Sequence, residues 1–225
     1  MTTLTSTKSI SILQRLTETH NKRSSLGTHS GLPMFIQQGA AAILILLLSP
    51  ILLLTFLLIK KQSIGPAVFS QVRVGENGRH FVCYKFRSMY LPADPNYVEP
   101  QQSDREGVCK KFYQDPRVTS IGRIIRKYSI DELPQLFNVL KGDMALVGPR
   151  PHIESEYKEY DRNIFPRLFC KPGLTGLWQV NGRADTTFEQ QLELDKTYIL
   201  KQSWWLDVKI LLATIPAVLG AKGAY

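Results

Sequence analysis

An uncharged, strongly apolar stretch at residues 39–59 constrains the fold of this chain more than any other feature. A straight helix of 21 residues is about 31 Å long, enough to cross a hydrocarbon core of about 30 Å. Ser49-Pro50 lies in the middle, where Pro50 removes a backbone hydrogen bond and bends a helix. Basic residues flank both ends, at 22–23 and 60–61. Because positive residues favour the cytoplasmic side, the sequence supports a re-entrant hairpin and a kinked span equally.

This stretch divides the chain into three predicted parts. Residues 1–38 form a Ser- and Thr-rich N-terminal arm, residues 39–61 a membrane helix, and residues 62–225 a cytoplasmic domain. A secretory signal peptide is disfavoured, because the apolar run is too long and no small-residue cleavage site follows it. The three cysteines form no Cys-x-x-Cys pair, so neither a disulfide framework nor a zinc site is indicated. A reducing, cytoplasmic setting fits this pattern.

The net charge of +9 indicates an anionic partner. Nucleic acid, an anionic membrane leaflet and a phosphorylated substrate all satisfy that requirement, and charge alone does not choose among them. The sequence contains no recognisable nucleic-acid-binding motif, no Walker A motif and no Gly-x-Gly-x-x-Gly after a strand. We therefore expect no nucleic-acid partner and neither a P-loop nor a Rossmann nucleotide site.

Beyond residue 61 the pattern predicts an α+β domain. Two β-like runs at 67–74 and 80–86 flank a Gly-Glu-Asn-Gly turn and predict a β-hairpin. Residues 188–200 read as a helix, and residues 91–107 read as an irregular loop. The apolar run 204–219 begins with two tryptophans and fits a bilayer interface and a core helix equally. In the helix after Asp115-Pro116, Ile121, Ile124, Ile125 and Tyr128 share one predicted face. That helix is either an ordinary surface helix or an interfacial amphipathic helix on lipid.

Asp131 and Glu132 are adjacent carboxylates that follow a basic run. One interpretation is structural: Ser129 and Glu132 have the spacing of a capping box, although Pro134 leaves the helix frame unsettled. The other interpretation is chemical: one carboxylate attacks phosphorus, and a divalent cation neutralises the phosphate oxygens. Adjacent helical residues point about 100° apart, so this pair cannot flank a sugar as the carboxylates of glycosidases do.

Arg150 lies between Pro149 and Pro151, whose rings restrict the backbone on both sides. A guanidinium aimed in this way suits bidentate binding of phosphate, although a solvated arginine in a rigid loop has the same sequence. Arg183 follows Gly182 and is a second candidate for the same role.

Several segments, in this order, resemble the bacterial sugar transferases, which are monotopic polyprenyl-phosphate phosphoglycosyl transferases. The resemblance covers about residues 40–219 and rests on the Ser49-Pro50 break and on residues 84–89, 129–136, 141–144, 147–151, 172–176 and 179–183. It implies a re-entrant membrane helix with a Ser-Pro break. Residues 31–38 depart from the basic-aromatic-acidic stretch with which the family usually begins, so the resemblance does not predict how the N-terminal end is anchored.

The resemblance also implies a function. It implies transfer of a sugar-1-phosphate from a UDP-sugar to undecaprenyl phosphate, with release of UMP and with Mg²⁺, at the cytoplasmic face of the bacterial inner membrane. Asp131 is then the nucleophile, Glu132 supports it, and both are metal ligands. The implied substrate-binding residues are Arg126, Pro149, Arg150, Pro151, Arg183 and Asp207. A non-catalytic, membrane-anchored binding module is the alternative, and the choice of sugar and any homo-oligomer are left open.

Overall fold

The computed structural model describes residues 18, 21, 31–100, 115–154, 162–183 and 186–221. Within these residues helices and short strands are mixed, which agrees with the predicted α+β class. The helices are α1 (Met34–Gln62), α2 (Ser120–Lys127), α3 (Leu136–Lys141), α4 (Leu177–Val180), α5 (Phe188–Lys201) and α6 (Trp204–Leu219). The strands are β1 (Val68–Val74), β2 (His80–Phe86), β3 (Ala145–Val147) and β4 (Gly173–Thr175), and 3₁₀ helices cover Ile130–Gln135 and Arg162–Phe169.

Helix α1 has 29 residues and begins after Pro33, five residues before the predicted start at residue 39. In the described part of the chain it alone is long and apolar enough to cross a membrane. The helix is continuous through Ser49-Pro50, so the predicted break into a hairpin is not confirmed. Pro50 has no N–H to donate to the carbonyl of Leu46, four residues earlier. The Ser49 hydroxyl donates to that carbonyl at 2.8 Å and so supplies a substitute hydrogen bond.

Both ends of α1 are bonded to the same folded body. At the first turn the Gln37 Oε1 atom accepts a hydrogen bond from the Leu146 N–H at 2.7 Å. At the last turn the Gln62 Oε1 atom accepts one from the Ile121 N–H at 3.1 Å. Large exposed apolar side chains lie between the two ends, Leu46 and Leu47 among them. The helix is therefore bonded at both ends. Along its middle, one face packs against the core clusters through Ile45, Leu48 and Leu52, and the other faces expose large apolar side chains.

The predicted β-hairpin is present. Strands β1 and β2 pair antiparallel, with Val68 opposite Phe86 at one end and Val74 opposite His80 at the other. The other edge of β2 is bonded by Asn138, a fully buried residue of α3. Its Oδ1 atom accepts from the Tyr84 N–H at 3.1 Å, and its Nδ2 atom donates to the Val82 carbonyl at 2.6 Å. This side chain fixes the hairpin to the segment that carries Asp131 and Glu132.

Strands β3 and β4 form a parallel pair, and glycines let the chain pass closely just beyond it. Ala145 lies opposite Gly173, and Val147 lies opposite Thr175. A Cβ atom added to Gly148 would lie 2.4 Å from the Lys171 carbonyl oxygen. One added to Gly173 would lie 2.0 Å from the Gly148 nitrogen. The segment that leads from β3 to Arg150 is therefore held tightly against the start of β4.

The predicted helix at 188–200 is present as α5, and the apolar run 204–219 forms α6. The helix predicted after Asp115-Pro116 is present as α2, and the residues of its predicted apolar face differ in burial. Ile125 is buried and packs in a cluster with Ile59 of α1, whereas Ile124 is 54% exposed and Tyr128 is 38% exposed. Because α2 is short and leans on α1, only the part of its apolar surface that faces α1 is covered.

Candidate active site

Asp131 and Glu132 lie in the 3₁₀ helix Ile130–Gln135, which also contains Pro134. Ser129 before it has a left-handed backbone (φ 53°), and its side chain caps no N–H group. A capping box requires an extended backbone at the capping residue. The capping-box interpretation of Ser129 and Glu132 is therefore wrong, and both side chains have other partners.

Glu132 is held by two cations from distant parts of the chain. Its Oε1 atom accepts from Lys85 Nζ at 2.6 Å and from Arg150 Nη1 at 2.8 Å. Lys85 belongs to β2, whereas Arg150 lies in the loop after β3. Burial acts to raise the pKa of Glu132, but Arg150 and Lys85 outweigh it and bring that pKa well below its ordinary value. Glu132 is thus a fixed anion at neutral pH.

Asp131, beside it, is not held in this way. Across the described ranges its carboxylate makes no hydrogen bond and no ion pair within 4.0 Å. Burial raises the pKa of Asp131 to about 6, with the negative charge of Glu132 adding to the effect and Lys85 opposing it. A carboxylate that is poorly solvated and still mostly ionised at pH 7 is well suited to nucleophilic attack.

Two further predicted cations lie around this pair. Arg126 of α2 is close enough to lower the pKa of Asp131 electrostatically. Its guanidinium makes no hydrogen bond or ion pair with any residue in the described part of the chain. Arg183, with a left-handed backbone (φ 52°), donates to the hydroxyl of Ser129 and to the Ala217 carbonyl. Arg126 is therefore available to a ligand, whereas Arg183 reaches the segment that leads into Asp131.

Pro149 and Pro151 position the backbone on either side of Arg150. The Pro149 carbonyl accepts from the Gly173 N–H at 2.8 Å. The Pro151 carbonyl accepts from Arg73 Nη1 at 2.7 Å. Because both flanking peptides are bonded, Arg150 is fixed where it reaches Glu132, as the Pro-Arg-Pro sequence indicates.

Asp207 contacts none of the other predicted site residues. It is 1% exposed, and its Oδ2 atom accepts from the Leu32 N–H at 2.7 Å. Its Oδ1 atom accepts from the Tyr198 hydroxyl at 2.9 Å. Burial raises the pKa of Asp207, and its bonds to Leu32 and Tyr198 oppose that rise. The structure thus places this carboxylate at the entry to α1, where it anchors the backbone just before the helix.

Sequence reasoning missed Lys85. The residue lies in the segment 84–89 that carries part of the family resemblance, but no local pattern marks a lysine in a strand as a partner of a carboxylate. Cross-strand pairing puts Lys85 on the same face of the hairpin as Cys83, which is buried in the core. A charged residue on the core-facing side of a strand needs a partner of opposite charge. The position of Lys85 in β2 could therefore have indicated that it pairs with a carboxylate.

The residues of this site fit a magnesium ion in part by their chemistry. No group of three or more His, Cys, Asp or Glu side chains that could hold a metal occurs in the part of the chain that the structure describes. Mg²⁺, however, is commonly held by one or two carboxylates together with substrate phosphates and water. Among the residues that the structure describes, Asp131 has no bonded partner, and both bonds to Glu132 involve Oε1 rather than Oε2. Two carboxylates therefore retain oxygen atoms that a hard cation can use.

The chain belongs to the bacterial sugar transferase family, because the model of that family matches residues 32–221. Among its relatives is the UDP-glucose:undecaprenyl-phosphate glucose-1-phosphate transferase of Caulobacter vibrioides. That protein is 44% identical over 195 residues, which cover 83% of this chain and 69% of the relative. The exopolysaccharide production protein ExoY of Rhizobium meliloti is 40% identical over 83% of this chain and 84% of its own length.

Other relatives are longer. The undecaprenyl-phosphate galactose phosphotransferase of Salmonella typhimurium is 41% identical over 81% of this chain and 39% of its own length. An uncharacterised sugar transferase of Haemophilus influenzae is 43% identical over 85% of this chain and 41% of its own length. The chain thus spans about two fifths of the length of these relatives.

Proposed function

We propose that this protein transfers a sugar-1-phosphate from a UDP-sugar to undecaprenyl phosphate and releases UMP, the first step in assembling a lipid-linked glycan. Family membership supports this reaction class, as do relatives named for phosphotransfer to undecaprenyl phosphate. The observation that carries the proposal is the contrast within one pair of neighbours. Glu132 is bonded to two cations, whereas the Asp131 carboxylate is unpartnered in the described structure and surrounded by positive charge.

In the first step, an oxygen of Asp131 attacks the phosphorus atom that bears the sugar. The bond from that phosphorus to the bridging oxygen of the diphosphate breaks, and UMP leaves with the electron pair. The product on the enzyme is an acyl phosphate that joins Asp131 to the sugar phosphate. Arg126 is available to bind phosphate oxygens. A cation at this position offsets the negative charge that develops on those oxygens during the attack.

In the second step, a terminal oxygen of undecaprenyl phosphate attacks the same phosphorus. The acyl–phosphate bond breaks, Asp131 returns as a carboxylate, and the lipid carries a diphosphate-linked sugar. Glu132 keeps its negative charge throughout, because Arg150 and Lys85 hold its pKa well below the ordinary value. Glu132 therefore takes part in no proton transfer. Its role is to hold Lys85 and Arg150 next to the nucleophile.

Mg²⁺ is part of the proposal, with Asp131 and Glu132 as its protein ligands. When bound, the ion neutralises the diphosphate oxygens and stabilises the leaving phosphate. Arg150 and Lys85 bond only the Oε1 atom of Glu132, so the residues that fix this side chain leave its other oxygen available.

We also propose that α1 is re-entrant and that the catalytic domain lies on the cytoplasmic face of the bacterial inner membrane. A spanning helix puts its two ends on opposite sides of the bilayer. In this protein Gln37 and Gln62, near the two ends of α1, both bond the same folded body. Exposed apolar side chains between them supply the surface that inserts into lipid. The lipid substrate then reaches Asp131 from the same membrane face.

The test is an assay of UMP release by the purified protein in lipid nanodiscs, with undecaprenyl phosphate, Mg²⁺ and a panel of UDP-sugars. We expect one donor or a small group of donors to support turnover. Omitting undecaprenyl phosphate should leave a single burst of UMP and a protein whose mass is increased by one sugar phosphate on Asp131.

The Asp131→Asn variant is the matched control, because it keeps the size of the side chain and removes its nucleophilic charge. It should show neither burst nor adduct. A wild-type burst with the adduct on another residue, or turnover by the Asn variant, would contradict the proposed role of Asp131. If no donor supports release by the wild type, the proposed reaction itself is wrong.

A further inference from the structure

Each end of α1 is held by a buried charged side chain for which the proposed chemistry has no use. Arg87 is 4% exposed and lies at the C-terminal end of the helix. Asp207 is 1% exposed and lies at the N-terminal end. Burying a charge is costly unless hydrogen bonds compensate for the lost hydration. The hydrogen bonds of Arg87 and Asp207 therefore indicate what each side chain does.

Arg87 binds three carbonyl groups just beyond the last turn of α1. Its Nη2 atom donates to the Ser63 carbonyl at 3.1 Å, and its Nη1 atom donates to the Ile64 carbonyl at 2.6 Å. Its Nε atom donates to the Pro66 carbonyl at 2.8 Å. A cation at this position also complements the helix dipole. The exit of α1 is therefore fixed by a side chain at the end of β2.

Arg87 follows Lys85, a partner of Glu132, by two residues. Phe86, the residue between them, pairs with Val68 of β1, and the Arg87 N–H donates to the Ala67 carbonyl at 2.8 Å. A displacement of the exit of α1 is thereby transmitted to the backbone that carries Lys85.

The entry to α1 is connected to the other partner of Glu132. Asp207 accepts from the Leu32 N–H and from the Tyr198 hydroxyl. The same hydroxyl lies 3.2 Å from the Val147 carbonyl oxygen, three residues before Arg150. Val147 is followed by Gly148, which is packed against the start of β4. A displacement of the entry is thus transmitted to the loop that carries Arg150.

We infer that Arg87 and Asp207 are positioning residues that set Lys85 and Arg150 around Glu132 according to how the two ends of α1 are seated. The catalytic meaning of this inference rests on the proposed function, whereas the mechanical connection does not. The site around Glu132 is then ordered only when both ends of α1 are in place. The C-terminal end of α1 is joined to Lys85 through β2, and the N-terminal end is joined to Arg150 through β3.

The test compares Arg87→Met and Asp207→Ala with Asp207→Asn and with the surface control Glu193→Gln. Displacements of about 1 Å at a reacting centre cost up to about 100-fold in rate. We expect the first two variants to lower kcat/KM for UMP release by about 10- to 100-fold. Asp207→Asn should retain most activity, because its amide can accept from Leu32 and donate to Tyr198. Glu193→Gln should match the wild type, because the Glu193 side chain is 67% exposed and its ion pair in the described residues is with Lys196, on the same helix.

Single-turnover kinetics separate positioning from plain loss of folded protein. The amplitude of the UMP burst counts active molecules, whereas its rate constant reports how well each active molecule is ordered. We expect Arg87→Met and Asp207→Ala to lower the rate constant by about 10- to 100-fold. A lowered amplitude with an unchanged rate constant in both variants would overturn the inference.

Hydrogen–deuterium exchange tests the connection without any assay of activity. Arg87→Met should raise exchange at residues 63–66 and also at 84–86 and 131–135. Asp207→Ala should raise it at residues 31–37 and also at 147–151 and 131–135. Increased exchange confined to the helix ends would refute the coupling. If the wild type releases no UMP but the exchange pattern is as expected, the proposed reaction fails and the connection stands.

Discussion

Two aspartates in this protein, the half-buried Asp131 and the buried Asp195, have the same raised pKa in different surroundings. Burial raises the pKa of Asp131 to about 6, and burial also raises that of Asp195 to about 6. Asp195 of α5 forms an ion pair with Arg167 at 2.5 Å, and both side chains are almost completely enclosed. Asp131 has several cations nearby but is bonded to none of them in the described structure.

This difference shows that a raised pKa alone does not identify a catalytic carboxylate. The Asp195 charge is neutralised by a dedicated partner, so the pair joins α5 to the 3₁₀ helix Arg162–Phe169. At the other location the dedicated partners, Lys85 and Arg150, are taken by Glu132. Asp131 therefore experiences positive charge without a bond that a substrate would have to displace.

The largest expected effect concerns chemistry. Asp131→Asn should lower UMP release at least about 10³-fold, because an amide cannot form the acyl phosphate. Asp195→Asn should change kcat per folded molecule by less than about threefold, because Asp195 lies outside the cluster around Glu132. The measurement is single-turnover UMP release, normalised to folded protein by size-exclusion chromatography. Comparable losses in both variants would remove the distinction between the two aspartates.

The second effect concerns stability, and here the larger loss is expected at Asp195. Asp195→Ala leaves the Arg167 charge enclosed without a counter-ion, which typically costs about 3–5 kcal/mol. Replacing both partners, as Arg167→Met with Asp195→Leu, should recover most of that loss. Thermal unfolding in detergent is the measurement. A double variant no more stable than Asp195→Ala would show that the pair does more than neutralise charge.

The third effect concerns pH. Asp131 must be ionised to attack, so kcat/KM should fall as pH drops through about 6, the pKa of Asp131. Removing a cation with Lys85→Gln raises that pKa, and the acid limb should move to higher pH. Removing an anion with Glu132→Gln lowers it, and the limb should move to lower pH. Initial rates at fixed Mg²⁺ between pH 5 and 8 would show both shifts, and shifts in the same direction would contradict the electrostatic account.

Much of the fold could be predicted from the sequence, because its signals are local. The β-hairpin followed from two alternating runs around a Gly-Glu-Asn-Gly turn, and α5 followed from the helical pattern of residues 188–200. The Ser129–Glu132 spacing shows where local patterns fail. Ser129 adopts a left-handed backbone, and Glu132 bonds residues 18 and 47 positions away in the chain. No local rule foresees such long-range partners.

The candidate site was predictable to a different degree at each residue. Arg150 could be singled out because prolines on both sides restrict its backbone, although its bond to Glu132 could not. Asp207 was grouped with the substrate-binding residues by resemblance, whereas its described bonds are to Leu32 and Tyr198. The roles of Arg126 and Arg183 in binding phosphate stay predictions. Resemblance locates residues along the chain, and only the tertiary contacts reveal which of them meet.

The smallest expected effect is a gain of stability at the candidate nucleophile. The folded pKa of Asp131, about 6, lies above its ordinary value of 3.8, so folding favours the protonated form. This favourable contribution is complete below about pH 4 and is lost as pH rises through about 6. At pH 8 the neutral Asp131→Asn side chain should therefore raise stability by up to about 3 kcal/mol, and near pH 4 it should change little.

Thermal unfolding of wild type and Asp131→Asn at pH 8 and pH 4 measures this gain. At Asp195 the same raised pKa also favours a neutral side chain, but Asn leaves the enclosed Arg167 without its counter-ion, so we expect a smaller gain or a loss at pH 8. A clearly larger gain at Asp131 than at Asp195 would show that only the Asp195 charge is stabilised by a bonded partner. A destabilising Asp131→Asn would mean instead that the surrounding cations already compensate the Asp131 charge, and its unpartnered state would then no longer argue for catalysis.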